Sequence, residues 1–494
     1  MNSAASTDTP LTHQDELSWK VARAERFSVI VDAAEYFTIA KRAMLNAKHS
    51  VILVGWDFDA RVHLQPGDKT VDGPDQIGRF LNWLADSRDD LDIRLLKWDL
   101  GMLRALGRGQ TPLVVLDWLA NKNVHLRLDG AHPRMAAHHM KLLVIDDVLA
   151  FCGGIDMTQG RWDTREHRPG DKRRRSAWGS KLGPWHDATT CISGPAARVF
   201  GDLARERWRR ATGEERTPPP QAPELWDDEL SVDFTDVDLA IARTMAAYED
   251  YPQVTEIEKL TLRIIERAKK TLYIESQYLA SRHIAEAIAK RLRDPDGPEV
   301  VLINPDTADG WLEAKAMDSA RILLLHMLRE ADIYDRFRAY YPINAAGEPI
   351  YVHAKIMIAD DEMMKIGSAN LNNRSQGYDT ECDLMLEAAA QKEPSKVRDG
   401  IRRRRHDLIA EHLAISPSEI DSAIAEEASM VRAIERFNSN DRRLVPIPLR
   451  DLSPEEELIE ETSLVDPERP GTPTDRLSDV WSRAAQMLRR APQS

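Results

Sequence analysis

One residue pattern occurs twice in this chain, and its side chains suit phosphate chemistry. His139, Lys141 and Asp146 form the first copy and His353, Lys355 and Asp360 the second, both spaced H-x-K-x4-D. In each copy a glycine follows the histidine by 14 residues, so Gly153-Gly154-Ile155-Asp156 aligns with Gly367-Ser368-Ala369-Asn370. One such motif is a weak signal; two with the same glycine offset are a strong one. Alternate residues of a strand face the same way, so the spacing predicts that His139 and Lys141 project to one face, as do His353 and Lys355. An imidazole beside an ammonium makes a phosphate site: the lysine neutralises oxygens as a point charge, and small neighbours let backbone N–H groups approach the anion. Two such sets facing each other would place two imidazoles on opposite sides of one phosphorus. That is the arrangement for double displacement, in which one histidine attacks while the other protonates the leaving oxygen.

Each imidazole needs a partner to fix its tautomer. Glu381 lies 28 residues after His353 and Asp187 lies 48 after His139, each opening an apolar run downstream of the glycine turn. Both read as orienting carboxylates. The unequal offsets imply an insertion in the first half, placed at about 158–181, which carries Arg161, Trp162, Arg165, Arg168 and the run Lys172 to Arg175. That run reads as a solvated loop, or as a patch that meets an anionic membrane surface. Asp146 and Asp360 close the motifs and are expected to buttress them by hydrogen bonding rather than to touch substrate.

The elements that must position these groups alternate between the two periodicities. Residues 28–49 read as an amphipathic helix, Val51 to Trp56 as a buried strand, 75–88 as a helix and Ile93 to Leu96 as a strand. A helix over 112–121 and a strand over Val124 to Leu128 follow. The cadence restarts after a Pro-rich linker at 213–226, with a helix over 256–269, a strand from Thr271 to Ile274, a helix over 283–293 and a strand from Val300 to Ile303. This alternation predicts an α/β fold of two similar α/β sandwich halves related by a pseudo-twofold axis. The expected divisions are a tail at 1–26 (loosest over 1–18), halves at 27–212 and 227–440, and an extension at 441–494. Within that extension, 440–475 reads as an extended wrap and 476–490 as a short amphipathic helix.

Composition narrows the function classes. Lys and Arg total 67 against 81 Asp and Glu, a net charge of −14, which argues against a protein coating long nucleic acids; no nucleic-acid partner is expected. The three cysteines, Cys152, Cys191 and Cys382, read as small buried hydrophobes in a reducing compartment. Met1 to Ser18 shows no apolar leader segment, and no run reaches the roughly 18 apolar residues of a membrane span. These features lead to an expected location in the cytoplasm or at the inner membrane face, or alternatively export by a route without a leader. No zinc-type ligand spacing accompanies the motif histidines, so no metal or cofactor is expected at this site.

The duplicated motif resembles the phospholipase D superfamily, and more narrowly the catalytic core of eukaryotic-type phospholipase D. The narrower resemblance rests on Gly153 to Thr164, His167, Pro184-Trp185-His186-Asp187, Gly194-Pro195, Ile274 to Tyr278, Ile350 to His353, Ile366 to Ser375 and Glu411-His412-Leu413. It implies one central cleft between two α/β halves and no required metal in the chemical step. It also implies His139 as nucleophile and His353 as general acid, then base. Lys141, Lys355, Ser368 and Asn370, with Gly154 at the first glycine turn, would hold the phosphate oxygens. The activity implied is hydrolysis of a phospholipid at a membrane surface to phosphatidic acid and an alcohol through a phosphohistidine. Water or a primary alcohol would act as acceptor. A cardiolipin-synthase-like transferase and a phospholipase D-like nuclease are the alternatives, and a non-catalytic lipid-binding protein is a third.

Overall fold

The computed structural model describes residues 9–67, 69–99, 121–134, 136–307 and 311–450. The helix expected over 112–121, but for its last residue, lies outside them, as do the closing helix over 476–490 and the extended wrap beyond 450.

The first half is built from β1 (Lys20–Val31), α1 (Ala33–Asn46), β2 (Ser50–Gly55), α2 (Ile77–Asp86), β3 (Asp92–Trp98) and β4 (Val124–Asp129). It continues through β5 (Leu142–Ile145), β6 (Leu149–Gly153), β7 (Trp185–His186), β8 (Ala188–Ser193) and α3 (Pro195–Thr212). The second half runs through β9 (Phe234–Met245), β10 (Val254–Thr255), α4 (Glu256–Arg267), β11 (Thr271–Glu275), α5 (Arg282–Arg293), β12 (Glu299–Ile303) and α6 (Trp311–Ala331). It then gives β13 (Phe337–Ile343), β14 (Tyr351–Val352), β15 (Ile356–Ala359), β16 (Met363–Gly367), α7 (Asn373–Gly377) and β17 (Glu381–Glu387). Helices α8 (Pro394–Leu413), α9 (Pro417–Glu427) and α10 (Met430–Phe437) and strand β18 (Arg443–Pro446) close the described chain.

All the strands but β7 and β14, which pair only with each other, form one large sheet in the order β18-β13-β12-β11-β15-β16-β17-β9-β1-β8-β6-β5-β2-β3-β4, with β10 paired to β9. At its centre β1 runs antiparallel to β9, with Lys20 opposite Ile241 and Phe27 opposite Phe234. Outward from that pair the halves match strand for strand: β8 with β17, β6 with β16, β5 with β15, β2 with β11 and β3 with β12. This is the two-halved α/β fold anticipated from the alternation.

Alternation along the strands sorts the core into layers. Phe27, Val29 and Val31 of β1 join Phe200 and Trp208 of α3 and Leu408 of α8 in one cluster that spans both halves. Ile30 faces the opposite side, toward Phe37 of α1 and Phe80 of α2. Helices α4, α5 and α6 cover the corresponding face of the second half. The three cysteines are free and buried. Among the described residues no helix is long and apolar enough to cross a membrane.

Two segments differ from expectation. The helix expected over 28–49 is a strand to Val31 and a helix only from Ala33. Phe27 to Val31 is a fully buried run, and such a run satisfies strand and helix patterns alike. The tail expected to residue 26 also gives way early. Leu11 and Leu17 are buried against the second half, and the backbone N–H and hydroxyl of Thr12 donate to Glu387 at 2.8 and 2.9 Å. At the other end β18, beyond the expected boundary at 440, pairs with β13.

Asp146 and Asp360 sit at the tight turns after β5 and β15, away from the histidine ends of the motifs. Both have positive φ (52° and 56°), as do Asp147 and Asp361, a backbone region that aspartate tolerates better than most residues. Asp146 accepts hydrogen bonds from the N–H groups of Lys48, His49 and Ser50 at 2.6, 2.8 and 2.7 Å. Asp360 repeats this with Lys269, Lys270 and Thr271 at 2.7, 2.7 and 2.9 Å. Each therefore ties its hairpin to the start of the neighbouring strand. Asp146→Ala strips three backbone donors of their acceptor, and we expect it to destabilise the fold by about 2–3 kcal/mol in urea unfolding. Turnover per folded molecule stays near wild type. A folded Asp146→Ala protein of normal stability and no activity would instead place this carboxylate in the chemistry.

Candidate active site

The two histidines do not lie within their own motif strands. β5 begins at Leu142 and β15 at Ile356, so His139, Lys141, His353 and Lys355 occupy the extended segments just before them. Those segments pair across to the opposite half. His139 N donates to Thr380 O at 2.9 Å, and Thr380 N to Ala137 O at 2.9 Å. In the second copy β14 runs parallel to β7, and His353 N donates to His186 O at 2.8 Å.

This crossed pairing decides which carboxylate holds which imidazole. The residue after Thr380 is Glu381, whose oxygens lie 2.9 and 3.0 Å from Nδ1 of His139. The residue after His186 is Asp187, whose Oδ2 lies 2.6 Å from Nδ1 of His353. Both acids contact a motif histidine, each from the other half. With Nδ1 occupied as donor, Nε2 of each ring is the nitrogen left for chemistry.

The surroundings hold both rings neutral in the absence of a bound anion's charge. Burial and the Lys141 and Lys355 ammonium groups push His139 well below its ordinary range. Burial, Lys355 and Arg161 do the same to His353. Lys355 is itself pushed down to about 7 by burial, and Glu381 is pushed up to about 8 by burial.

The expected phosphate ligands divide. Lys141 Nζ donates to His139 O at 2.6 Å and lies 3.3 Å from Asp156 Oδ2, so the first-half lysine is held by the aspartate that aligns with Asn370. Lys355 Nζ donates to His353 O and lies 3.5 Å from Gln277 Oε1, which also accepts from Asn370 Nδ2 at 3.3 Å. Lys355, Asn370 and Gln277 therefore form one polar cluster beside His353. Ser368 is turned differently. Its hydroxyl donates to Glu381 Oε2 at 2.5 Å, so the serine fixes the orienting acid instead of facing the cleft. Gly154 serves packing: a Cβ there would lie 2.3 Å from Asp187 Oδ1 and 3.3 Å from His353 O. Only a glycine lets the second histidine and its acid close over the first glycine turn.

Other residues shape the site without having been expected there. Asp383 accepts from the N–H groups of Ser368 and Ala369, both at 3.0 Å, and pairs with the buried Lys365 at 2.5 Å, which fixes the second glycine turn. Trp56 meets His139 edge-on at 6.2 Å between ring centres, while Trp185 lies 5.3 Å from His353 and stacks on Tyr351 at 4.4 Å. Arg161 lies over the Trp185 ring at 4.0 Å. These aromatic walls carry no pattern in sequence. Asp383 had a weak signal, sitting two residues after Glu381 on the same face of β17. The basic insertion is only partly solvated: His167 and Arg174 are buried within it.

The pKa directions give a binding prediction. An anionic phosphodiester favours protonated Lys355 and raises its pKa on binding. Above about pH 7 that proton must be taken up, and above about pH 8 the ionised Glu381 adds repulsion. We expect the affinity for a non-cleavable phosphonate analogue to fall between pH 6 and pH 9, by up to roughly tenfold per unit for each proton taken up, that of His353 and, above about pH 7, that of Lys355. Isothermal titration checks this, and an affinity constant over that range would contradict it.

Comparisons with known proteins point to one superfamily. Residues 43–217 match a family model described as phospholipase D, and residues 261–398 match one described as cardiolipin synthase, PLD-like domain. Phospholipase D A of Dictyostelium discoideum is 24% identical over 410 residues, covering 70% of this chain and 31% of the relative. Phospholipase D1 of Saccharomyces cerevisiae is 26% identical, covering 77% and 28%. Phospholipase D alpha 1 of Carica papaya is 22% identical, covering 70% and 59%. The chain thus spans less than two thirds of the length of these relatives. Among solved structures, the phosphatidylserine synthase of Haemophilus influenzae matches with a TM-score of 0.50 at 13% identity, over 80% of this chain and 88% of that one.

Proposed function

The chain is a member of the phospholipase D superfamily, and from that premise we propose that it cleaves the head-group-side phosphodiester of a phospholipid by double displacement. The observation that carries this reading is the crossed pair His139–Glu381 and His353–Asp187, at 2.9 and 2.6 Å, with Lys355 and Lys141 beside the two rings. In the first step His139 Nε2 attacks phosphorus. A P–N bond forms as the P–O bond to the head group breaks, and His353, protonated once the anionic substrate is bound, passes its Nε2 proton to the departing oxygen. In the second step His353 takes a proton from water or an alcohol, whose oxygen forms a new P–O bond while the P–N bond breaks. Lys141, Lys355 and Asn370 stabilise charge on the equatorial oxygens.

A primary alcohol in place of water yields a phosphatidyl alcohol instead of phosphatidic acid. The match of the second half to the cardiolipin-synthase description favours one further reading, transfer of the phosphatidyl group to a lipid alcohol. Anionic and zwitterionic phospholipid vesicles assayed with and without a primary alcohol test both. Release of head group with phosphatidyl alcohol at the expense of phosphatidic acid is expected. Turnover only with a lipid alcohol present would select the transferase. Cleavage of plasmid DNA with every phospholipid left intact would overturn the reading. We place the enzyme at the inner membrane face as a peripheral protein, which fractionation tests.

A further inference from the structure

Behind Asp187, on the side away from the cleft, four buried side chains from four segments converge. They are Asp32 at the end of β1, His167 in the insertion, His186 of β7 and Glu411 of α8. One ligand-type atom from each lies within 4.8 Å of all the others. His186 Nδ1 is 2.9 Å from Glu411 Oε1 and 3.4 Å from Asp32 Oδ1. His167 Nε2 is 3.2 Å from the same Glu411 oxygen and 3.6 Å from Asp32 Oδ2. A tetrahedral ion with bonds of about 2.0–2.1 Å to nitrogen and oxygen needs ligand separations of roughly 3.3 Å; the histidine–carboxylate separations lie near that value, with His186 and His167 facing different oxygens of Asp32.

Two further observations point to a ligand. First, Asp32 is 1% exposed, and its Oδ2 accepts no hydrogen bond. It faces His167, whereas Oδ1 is already used by the N–H of Asp187 at 3.1 Å. Second, each imidazole gives its outer nitrogen to another carboxylate: His167 Nδ1 to Asp163 at 2.9 Å and His186 Nε2 to Glu275 at 2.8 Å. With the outer nitrogens so engaged, each inward nitrogen faces carboxylate oxygens at a distance that needs either a proton or a metal ion between them, and an outer carboxylate of this kind supports metal-bound histidine.

Charge supplies the remaining argument. Asp32, Asp163, Glu275 and Glu411 bring four negative charges. Arg165 pairs with Glu411 at 2.5 Å and Arg174 with Asp163 at 2.9 Å. Arg442, 4.0 Å from Glu411, is offset by Asp407, which pairs with Arg165 at 3.0 Å. His412, 3.0 Å from Glu275, is pushed below its ordinary range by burial and adds no charge, so two negative charges remain, and a dication balances them with the His167 and His186 rings neutral. Two imidazolium rings would balance them equally, so the states differ by one metal ion against two protons.

We propose that Asp32, His167, His186 and Glu411 bind one structural divalent transition-metal ion, zinc by the donor set, that fastens the segments behind the Asp187–His353 pair. The ion has no route to substrate and takes no part in phosphoryl transfer. Its presence is read without any substrate, so the proposal stands or falls separately from the phospholipid reading.

The test uses the full chain purified without chelator from zinc-supplemented cells. Elemental analysis is expected to give about one zinc per chain. Protein unfolded with a strong chelator and refolded with zinc should melt roughly 5 °C or more above protein refolded without it. Refolding with cobalt should give the intense visible bands of a tetrahedral N,O site. His167→Gln and Asp32→Asn should lose both the metal and the bands. The cobalt spectrum of wild type keeps the test decisive if a variant fails to fold. Wild-type protein that holds less than about 0.1 equivalent after zinc refolding, with an unchanged melting temperature, would overturn the site in favour of two imidazolium rings. A full equivalent retained by folded His167→Gln would also overturn it, by placing the ion elsewhere.

Discussion

His139→Ala and His353→Ala each lower kcat/KM by roughly 10⁴- to 10⁶-fold, the scale seen when a group acting as nucleophile or as acid is removed from a site that works as a unit. The losses are not additive, because without either ring the covalent route is closed and the double variant has little left to lose. Neither substitution breaks the core. His139 and His353 lie at the cleft ends of the motif strands, and the apolar runs that follow them, Leu142–Ile145 and Ile356–Ala359, carry the packing. Circular dichroism and urea midpoints should stay near wild type. One consequence of the crossed pairing is that loss of an imidazole removes one partner of a buried carboxylate of the other half, Glu381 for His139 and Asp187 for His353; Glu381 keeps the Ser368 hydroxyl and Asp187 the N–H of Ala188. Each alanine variant is therefore expected to show a small change in stability that depends on pH. Substantial activity in a folded His139→Ala protein would sink the assignment.

Much of the site was legible because its information is local. The repeated H-x-K-x4-D and the equal spacing to Gly153 and Gly367 lie within about 15 residues of each histidine, and the two-half α/β architecture follows from the restart of the cadence after the Pro-rich segment. The pairing of Glu381 with His139 and of Asp187 with His353 depends on the alignment of Thr380 with Ala137 and His139, and of His186 with His353, contacts made only when the two halves dock. Sequence offset alone sorts each acid with the histidine of its own half, and the structure reverses that sorting. Ser368 illustrates a different loss. Its place in the glycine turn suits a phosphate ligand, but the approach of Glu381 captures its hydroxyl. The run Phe27 to Val31 is buried throughout and, but for Ser28, apolar, so it suits a helix and a strand alike. Its assignment is settled by β9 on one side and β8 on the other. The buried partners His167, Glu275 and Glu411 come from three distant segments, so nothing in their spacing announces that they meet.

The central claim is that phosphorus passes through a covalent bond to His139, and trapping that adduct tests it most directly. His353→Asn slows both steps, since the same imidazole protonates the first leaving group and deprotonates the second nucleophile. With a diester whose leaving group is a good phenolate, formation needs little proton donation, and the block shifts to release. Acid-quenched His353→Asn, incubated with such a substrate, is expected to carry one phosphatidyl group per chain, mapped by mass spectrometry to the peptide containing His139. An adduct on the His353 peptide of wild-type enzyme would reverse the two roles. No adduct in either protein, together with inversion of configuration at phosphorus, would contradict double displacement.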